Sequence, residues 1–247
     1  MFDKEIDASL EETQPVVPTK QVVEVVAHET VDMGDPGVVY ADYDGSGGID
    51  WIASLSQEAQ PATLERTYQV TLTNDGEVLE RKVVPGKDVL TPAQPAVMKF
   101  GGSVSVGSEF FPRTTTYGVD CIGCSGEISG EGGTAAGVKL SNTNGVLQPN
   151  GTWKQGIKYG DYYIVAADRS IPMCSVLEIS NHGYSGYGLT PGVPFYAMVL
   201  DRGGGIWNNH LDLYAGSQKS SGLSIQYGIH KPKATIVSVG NQGMCPL

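Results

Sequence analysis

Two carboxylates, Asp201 and Asp212, stand at the ends of short apolar runs, Tyr196 to Leu200 and Leu211 with Leu213 and Tyr214, separated by Gly203-Gly204-Gly205. Runs of this length suit β-strands, and a triple-glycine turn lets the backbone come close to a ligand. Both acids are then expected at one end of neighbouring strands. A carboxylate there is costly unless hydrogen-bonded, so its proton affinity is open to tuning for acid–base chemistry. The same spacing also suits two strand-end aspartates that bond backbone amides. His210, two residues before Asp212, shares that acid's face on a strand and is placed to alter its proton affinity.

The elements that must hold these acids are strands. Alternation, short apolar runs and frequent glycine run through the chain, and no long helix is predicted. Gln21 to Ala27 is β-branched and strand-like. Tyr68 to Leu72 and Glu77 to Val84 flank Asn74-Asp75-Gly76, a hairpin signal. Phe100 to Gly107 reads as a glycine-rich linker. Asn142 to Tyr163 reads as an inserted hairpin or loop, whose Trp153, Tyr159 and Tyr162 suit either local core or a sugar-stacking wall. Leu223 to Tyr227 and Ala234 to Val239 are two further runs able to close a barrel, and His182 is expected to be solvated. The division expected is an N-terminal arm and acidic loop segment over 1–59, a small β unit and linker over 60–107, and a barrel over 108–247.

Two further motifs suggest ligands. Asp42-Tyr43-Asp44-Gly45-Ser46-Gly47-Gly48-Ile49-Asp50 fits a calcium loop of the EF-hand type, with oxygen ligands from Asp42, Asp44, Ser46, the Gly48 carbonyl and Asp50. Its last ligand is missing, because Ala53 stands where a bidentate Glu is needed, so weak calcium binding or a plain acidic turn is expected. Cys121 and Cys124 form a Cys-x-x-Cys pair, with Cys174 and Cys245 distant. A four-thiolate zinc site lacks its second close pair, which leaves disulfides of three possible connectivities or free thiols as the alternatives.

Bulk properties narrow the partners. A chain of 247 residues with 33 glycines, 14 prolines and 40% hydrophobic content suits a folded, loop-rich protein. The net charge of -11 argues against nucleic acid or an anionic membrane surface. The first residues, Met-Phe-Asp-Lys-Glu-Ile-Asp, carry neither a basic nor an apolar leader segment, and no window of 18 apolar residues occurs. Residues 1 to about 20 are acidic and hold Pro15 and Pro18, so they read as an extended arm that orders against a partner.

Several segments together resemble the 3D domain, named for three aspartates, of bacterial muralytic proteins related to membrane-bound lytic transglycosylase A. They are Thr116-Tyr117, Gly133 to Gly137, Val165 to Asp168, Ile171-Pro172, Val176 to Ile179, Asp201 to Ile206, Leu211 to Tyr214, and Gly228 to Val237. The segment from Thr67 to Gly102 is similar to the second half of the small, glycine-rich wall-associated module that often precedes such domains. The resemblance implies a double-psi β-barrel whose groove receives a glycan strand, with Asp168, Asp201 and Asp212 lining it. Thr116, Tyr117, Thr134, Gly203, Gly204, Gly205 and Tyr214 would contact substrate. It implies lytic cleavage of the β-1,4 bond between N-acetylmuramic acid and N-acetylglucosamine in peptidoglycan, with no cofactor required. Asp212 would be acid and then base, Asp201 would support positive charge, and Asp168 would fix the groove. A wall enzyme without a leader is expected either as a mature fragment or as a bacteriophage tail or baseplate protein, made in the host and assembled with other virion proteins. A hydrolase of the same bond and a non-catalytic virion component are the alternatives.

Overall fold

The computed structural model describes residues 20–45, 47–226, 228–241 and 245. Its secondary structure is all β, with no helix among the described residues. The chain divides into two compact units, one made of the residues up to Pro36 with Ala59–Pro95, the other of Gly37–Glu58 with Ala96–Leu247. The boundary expected at residue 107 therefore falls inside the larger unit. The expected arm lies outside the described residues except for Lys20.

In the smaller unit, Gln21–Val31 pairs antiparallel with Ala62–Leu72 along its whole length. Ala62–Leu72 also pairs with Val78–Val83 and with Val89–Thr91. The hairpin expected at Asn74-Asp75-Gly76 is present: Gly76 adopts a φ of 87° and donates its N–H to the Thr73 carbonyl at 3.1 Å.

The larger unit is organised around an eleven-stranded sheet. Ala96–Gly102, read from sequence as running into a linker, is a strand of this sheet between Val38–Ala41 and Ile49–Gln57. The sheet continues through Glu109–Phe110, Lys233–Ser238 and Val176–Ser180 to its apolar centre. There Phe195–Asp201 runs parallel to Tyr162–Ala166, which runs antiparallel to His210–Tyr214, which in turn runs parallel to Arg113–Tyr117. Ile164, Val165, Val199 and Leu200 are wholly buried, as expected for parallel strands covered on both faces. Among the described residues the sheet has two free ends, Val38–Ala41 and Arg113–Tyr117. Ser224–Ile225, one of the two runs expected to close a barrel, pairs instead with Tyr184–Ser185, and Tyr227 lies outside the described residues.

All four cysteines are paired, Cys121 with Cys124 and Cys174 with Cys245, which settles the connectivity that the sequence left open. His182, expected to be solvated, is wholly buried. Its Nδ1 accepts from the Tyr184 N–H and its Nε2 lies 2.7 Å from the Val193 carbonyl, so two local bonds replace the water.

Candidate active site

Register decides what meets at the sheet centre. Ala166 is paired on one side with Asp201 and on the other with Asp212, while Asp212 is paired with Thr115 on its far side. Residues at one level of adjacent strands present their side chains to the same face. Asp201, Ala166, Asp212 and Thr115 therefore form a row, with the two acids separated by two strand spacings, roughly 10 Å between backbones. The alanine between them leaves the row open in its middle. Side chains two residues away join the same face, which brings in Tyr117 and Arg113 on one strand and His210 on its neighbour.

A groove of ≈ 610 Å³ opens over this row. Asp201, Asp212, Ala166, Tyr117 and His210 line it, with Thr134 and Ala135 on one side and the loop Arg202–Ile206 on the other. The Cys121–Cys124 loop supplies a further wall. That wall is pinned by Asp120, whose carboxylate accepts from Ser217 Oγ at 2.9 Å and from the Gln218 N–H at 2.5 Å. Gly118 passes so close to the Gln218 backbone that a Cβ would overlap it, so a glycine is required where this wall meets the 217–220 turn.

The two acids have different surroundings. Asp201 Oδ1 accepts from the backbone N–H groups of Ala135 and Arg202 at 2.9 and 2.8 Å, and Oδ2 accepts from the Tyr117 hydroxyl at 2.7 Å. Burial, and then the neighbouring Asp201 carboxylate, push the Tyr117 hydroxyl well above the usual tyrosine range, so it remains a donor. Asp212 accepts one bond, from the Thr115 hydroxyl to Oδ1 at 2.6 Å. Desolvation raises its carboxyl above the usual range, against the opposing pull of Thr115, His210 and Arg113. Such an acid is able to hold a proton and release it.

The third aspartate stands apart. Asp168 does not line the groove; Oδ1 accepts from the Ser170 N–H and hydroxyl at 2.8 and 2.7 Å, and Oδ2 from the Asn208 N–H at 2.8 Å. Burial works against its charge, but these bonds outweigh it and hold its carboxyl below the usual range. Asn208 sits at a φ of 54°, so Asp168 clamps the left-handed end of the glycine-rich loop. The Arg202 guanidinium holds the other end, donating to the Ala167 and Ile171 carbonyls at 3.0 and 2.6 Å.

Of the residues expected to contact substrate, Tyr117, Thr134, Gly203, Gly204 and Gly205 line the groove, whereas Thr116 and Tyr214 do not. Thr116 falls one residue off the Thr115–Tyr117 face. Tyr214 is fully buried beneath the groove, its ring 5.6 Å from that of Tyr117. Trp153, Tyr159 and Tyr162 also lie outside the groove lining. Thr115 and Arg113 carry no sequence motif, and only strand register marks them; Ala135 and Ala166 lie within the segments that carry the resemblance, but their contact and pairing with Asp201 carry no signal in the sequence.

Of the residues expected to hold calcium, Asp42, Asp44, Gly48 and Asp50 are described. Among the described residues no group of three or more His, Cys, Asp or Glu side chains is placed to hold a metal ion. Asp44 pairs with Lys99 at 2.5 Å, Ser46 lies outside the described residues, and Ala53 is a buried strand residue. At Gly48, whose φ is 82°, a Cβ would overlap the Gly101 carbonyl.

No family model and no curated protein matches the chain. Among solved structures, one described as the crystal structure of HP0197-G5 is 18% identical, with the match covering 34% of this chain and 99% of that chain at a TM-score of 0.20. A likeness at that score carries no argument about fold or function.

Proposed function

We propose that the protein is a lytic transglycosylase of peptidoglycan, that the strands around the groove form a double-psi β-barrel, and that the chain serves as part of a phage tail or baseplate. The observation that carries the reading is the unlike pair of acids in one groove. Asp212 is desolvated and disposed to hold a proton; Asp201 is held by three donors. In the proposed reaction Asp212 gives its proton to the departing N-acetylglucosamine oxygen as the bond to the muramoyl anomeric carbon breaks. The Asp212 carboxylate then takes the proton of the muramoyl 6-hydroxyl while that oxygen bonds the same carbon, closing the 1,6-anhydro ring and restoring the acid. Holding the hydroxyl within the bound sugar replaces the water of a hydrolase, an effective-concentration gain of several kcal/mol. The Asp201 carboxylate supports the positive charge that develops between these steps. The two disulfides favour a working place outside a reducing cytoplasm.

The test is the product released from purified peptidoglycan, read by mass spectrometry. Anhydro-terminated fragments are expected from the native protein, none from a folded Asp212→Asn variant, and about 10²–10³-fold less from Asp201→Asn. Reducing ends instead of anhydro ends would assign a hydrolase. Full activity in Asp212→Asn would remove Asp212 from the chemistry.

A further inference from the structure

The hydrogen bonds behind Asp212 run in one direction. Thr115 has a single hydroxyl proton, which it gives to Asp212 Oδ1, so toward His210 Nε2, 2.8 Å away, its oxygen can only accept. Nε2 therefore carries a hydrogen. Arg113 Nη2 lies beside the ring, 3.0 Å from Nδ1 and 3.5 Å from Nε2, and a guanidinium has no acceptor, so Nδ1, the nearer nitrogen, accepts. The chain of donors is Arg113 to His210, His210 to Thr115, Thr115 to Asp212. The Gly205 carbonyl, 3.2 Å from Nδ1, favours a hydrogen on that nitrogen instead, and Arg113 opposes it.

We propose that Thr115, oriented by His210 and Arg113, is a positioning residue that reserves Oδ1 of Asp212 and so confines the transferable proton to Oδ2. Among the described residues Oδ2 makes no hydrogen bond, while Asp212 itself lines the groove. His210 is buried and lines the groove beside it; Thr115 and Arg113 are not part of the lining. No proton crosses the chain. When the Oδ2–H bond breaks and its proton passes to the sugar oxygen, the electron pair stays on the carboxylate, and Thr115 keeps its own proton while its bond to Oδ1 becomes charge-assisted. The other charged and titratable groups facing Asp212 are Tyr117 and Arg113, from the neighbouring strand, and Asp201, from two strands away.

The catalytic part of this inference rests on the transglycosylase reading; the effect on Asp212 does not. The experiment therefore has two readouts on the full chain. The first is the titration midpoint of the Asp212 carboxyl, followed by carbon NMR on protein labelled at aspartate, without substrate. Thr115→Val is expected to move that midpoint upward, because a donor to the charged form is lost; Thr115→Ser is expected to leave it in place, and His210→Gln, whose amide still donates to Thr115 but which removes the pull of His210 on Asp212, to move it upward by less than Thr115→Val does. The second is the pH profile of turnover on peptidoglycan. In Thr115→Val the alkaline limb should move upward with the midpoint and kcat should fall, up to about 100-fold, with KM little changed. An unmoved midpoint in Thr115→Val, or a Thr115→Ser protein that behaves like Thr115→Val, overturns the proposal. Should Thr115→Val fail to fold, an upward shift in Thr115→Ser overturns it as well. A midpoint shift in a protein with no activity on peptidoglycan keeps the role of Thr115 and removes the transglycosylase reading.

Discussion

Asp212, which lines the groove, and Asp168, which stands outside it, respond to pH in opposite directions. Desolvation raises the Asp212 carboxyl, so the fold favours its protonated form. The stability this group contributes is fully present below its unfolded value, about 3.9, and is lost as pH rises through the higher folded value. Asp168 is depressed; its contribution is present above the unfolded value and is lost as pH falls through the folded one. Asp212→Asn should therefore melt higher than the native protein at pH 7.5, with the gap closing near pH 3.5. For a chain of this size each kcal/mol gained reads as about 2–4 °C. Calorimetry at the two pH values checks it, and a lower melting temperature at pH 7.5 would show that the charged form is the one the fold favours. An acid held against stability is an expected feature of a site that uses its proton.

The glycine-rich element between the acids is shaped from outside the groove. Asp168 fixes Asn208 at one end and Arg202 fixes the other against Ala167 and Ile171. Asp168→Ala should leave the sheet intact, cost on the order of 1–2 kcal/mol, and loosen the loop. Faster tryptic cleavage at Arg202, with unchanged circular dichroism, is the expected outcome; unchanged cleavage would assign the clamp elsewhere. The strands that carry Asp201 and Asp212 were legible in sequence because apolar runs and a turn are local signals, but Asp212 is the middle residue of His210–Tyr214 rather than its end, and Tyr162–Ala166 stands between the two strands. Their shared partner Ala166 was not, since pairing across 35 to 46 residues of chain leaves no local trace. Thr115 stands among three consecutive threonines, and only its register with Asp212 singles it out. Tyr214 misled for the same reason. It lies two residues beyond Asp212 on the same face, but on the side of the acid that is buried under Tyr117.

At the scale of the molecule, the expected division placed Gly37–Glu58 and Ala96–Gly107 outside the barrel region, yet Ala53 pairs with Glu109 and the Trp51 ring meets that of Phe110 at 5.2 Å. The sequence reads there as an acidic loop segment and a glycine-rich linker; Val38–Ala41, Ile49–Gln57 and Ala96–Gly102 are strands, and residues 103–107 are not. Gln60 and Gln94 exchange backbone bonds at 3.0 and 2.9 Å, so the segment between them leaves and returns at nearly one point. Removing residues 1–36 and replacing 61–93 with a short glycine-serine turn should preserve a cooperative melt of the remaining larger unit, whereas residues 108–247 alone should be poorly soluble, with Phe110 uncovered. A sharp melt for the 108–247 fragment would contradict this. The interleaving also has a consequence in time. Gln21–Val31 is finished by the ribosome 41 residues before the end of its partner Ala62–Leu72, about 2–8 s at ordinary synthesis rates. During that interval a strand carrying Val22, Val23, Val25 and Val26 has both edges unpaired, and Glu24 and Glu29 are the acidic residues within it that oppose pairing with a second nascent chain.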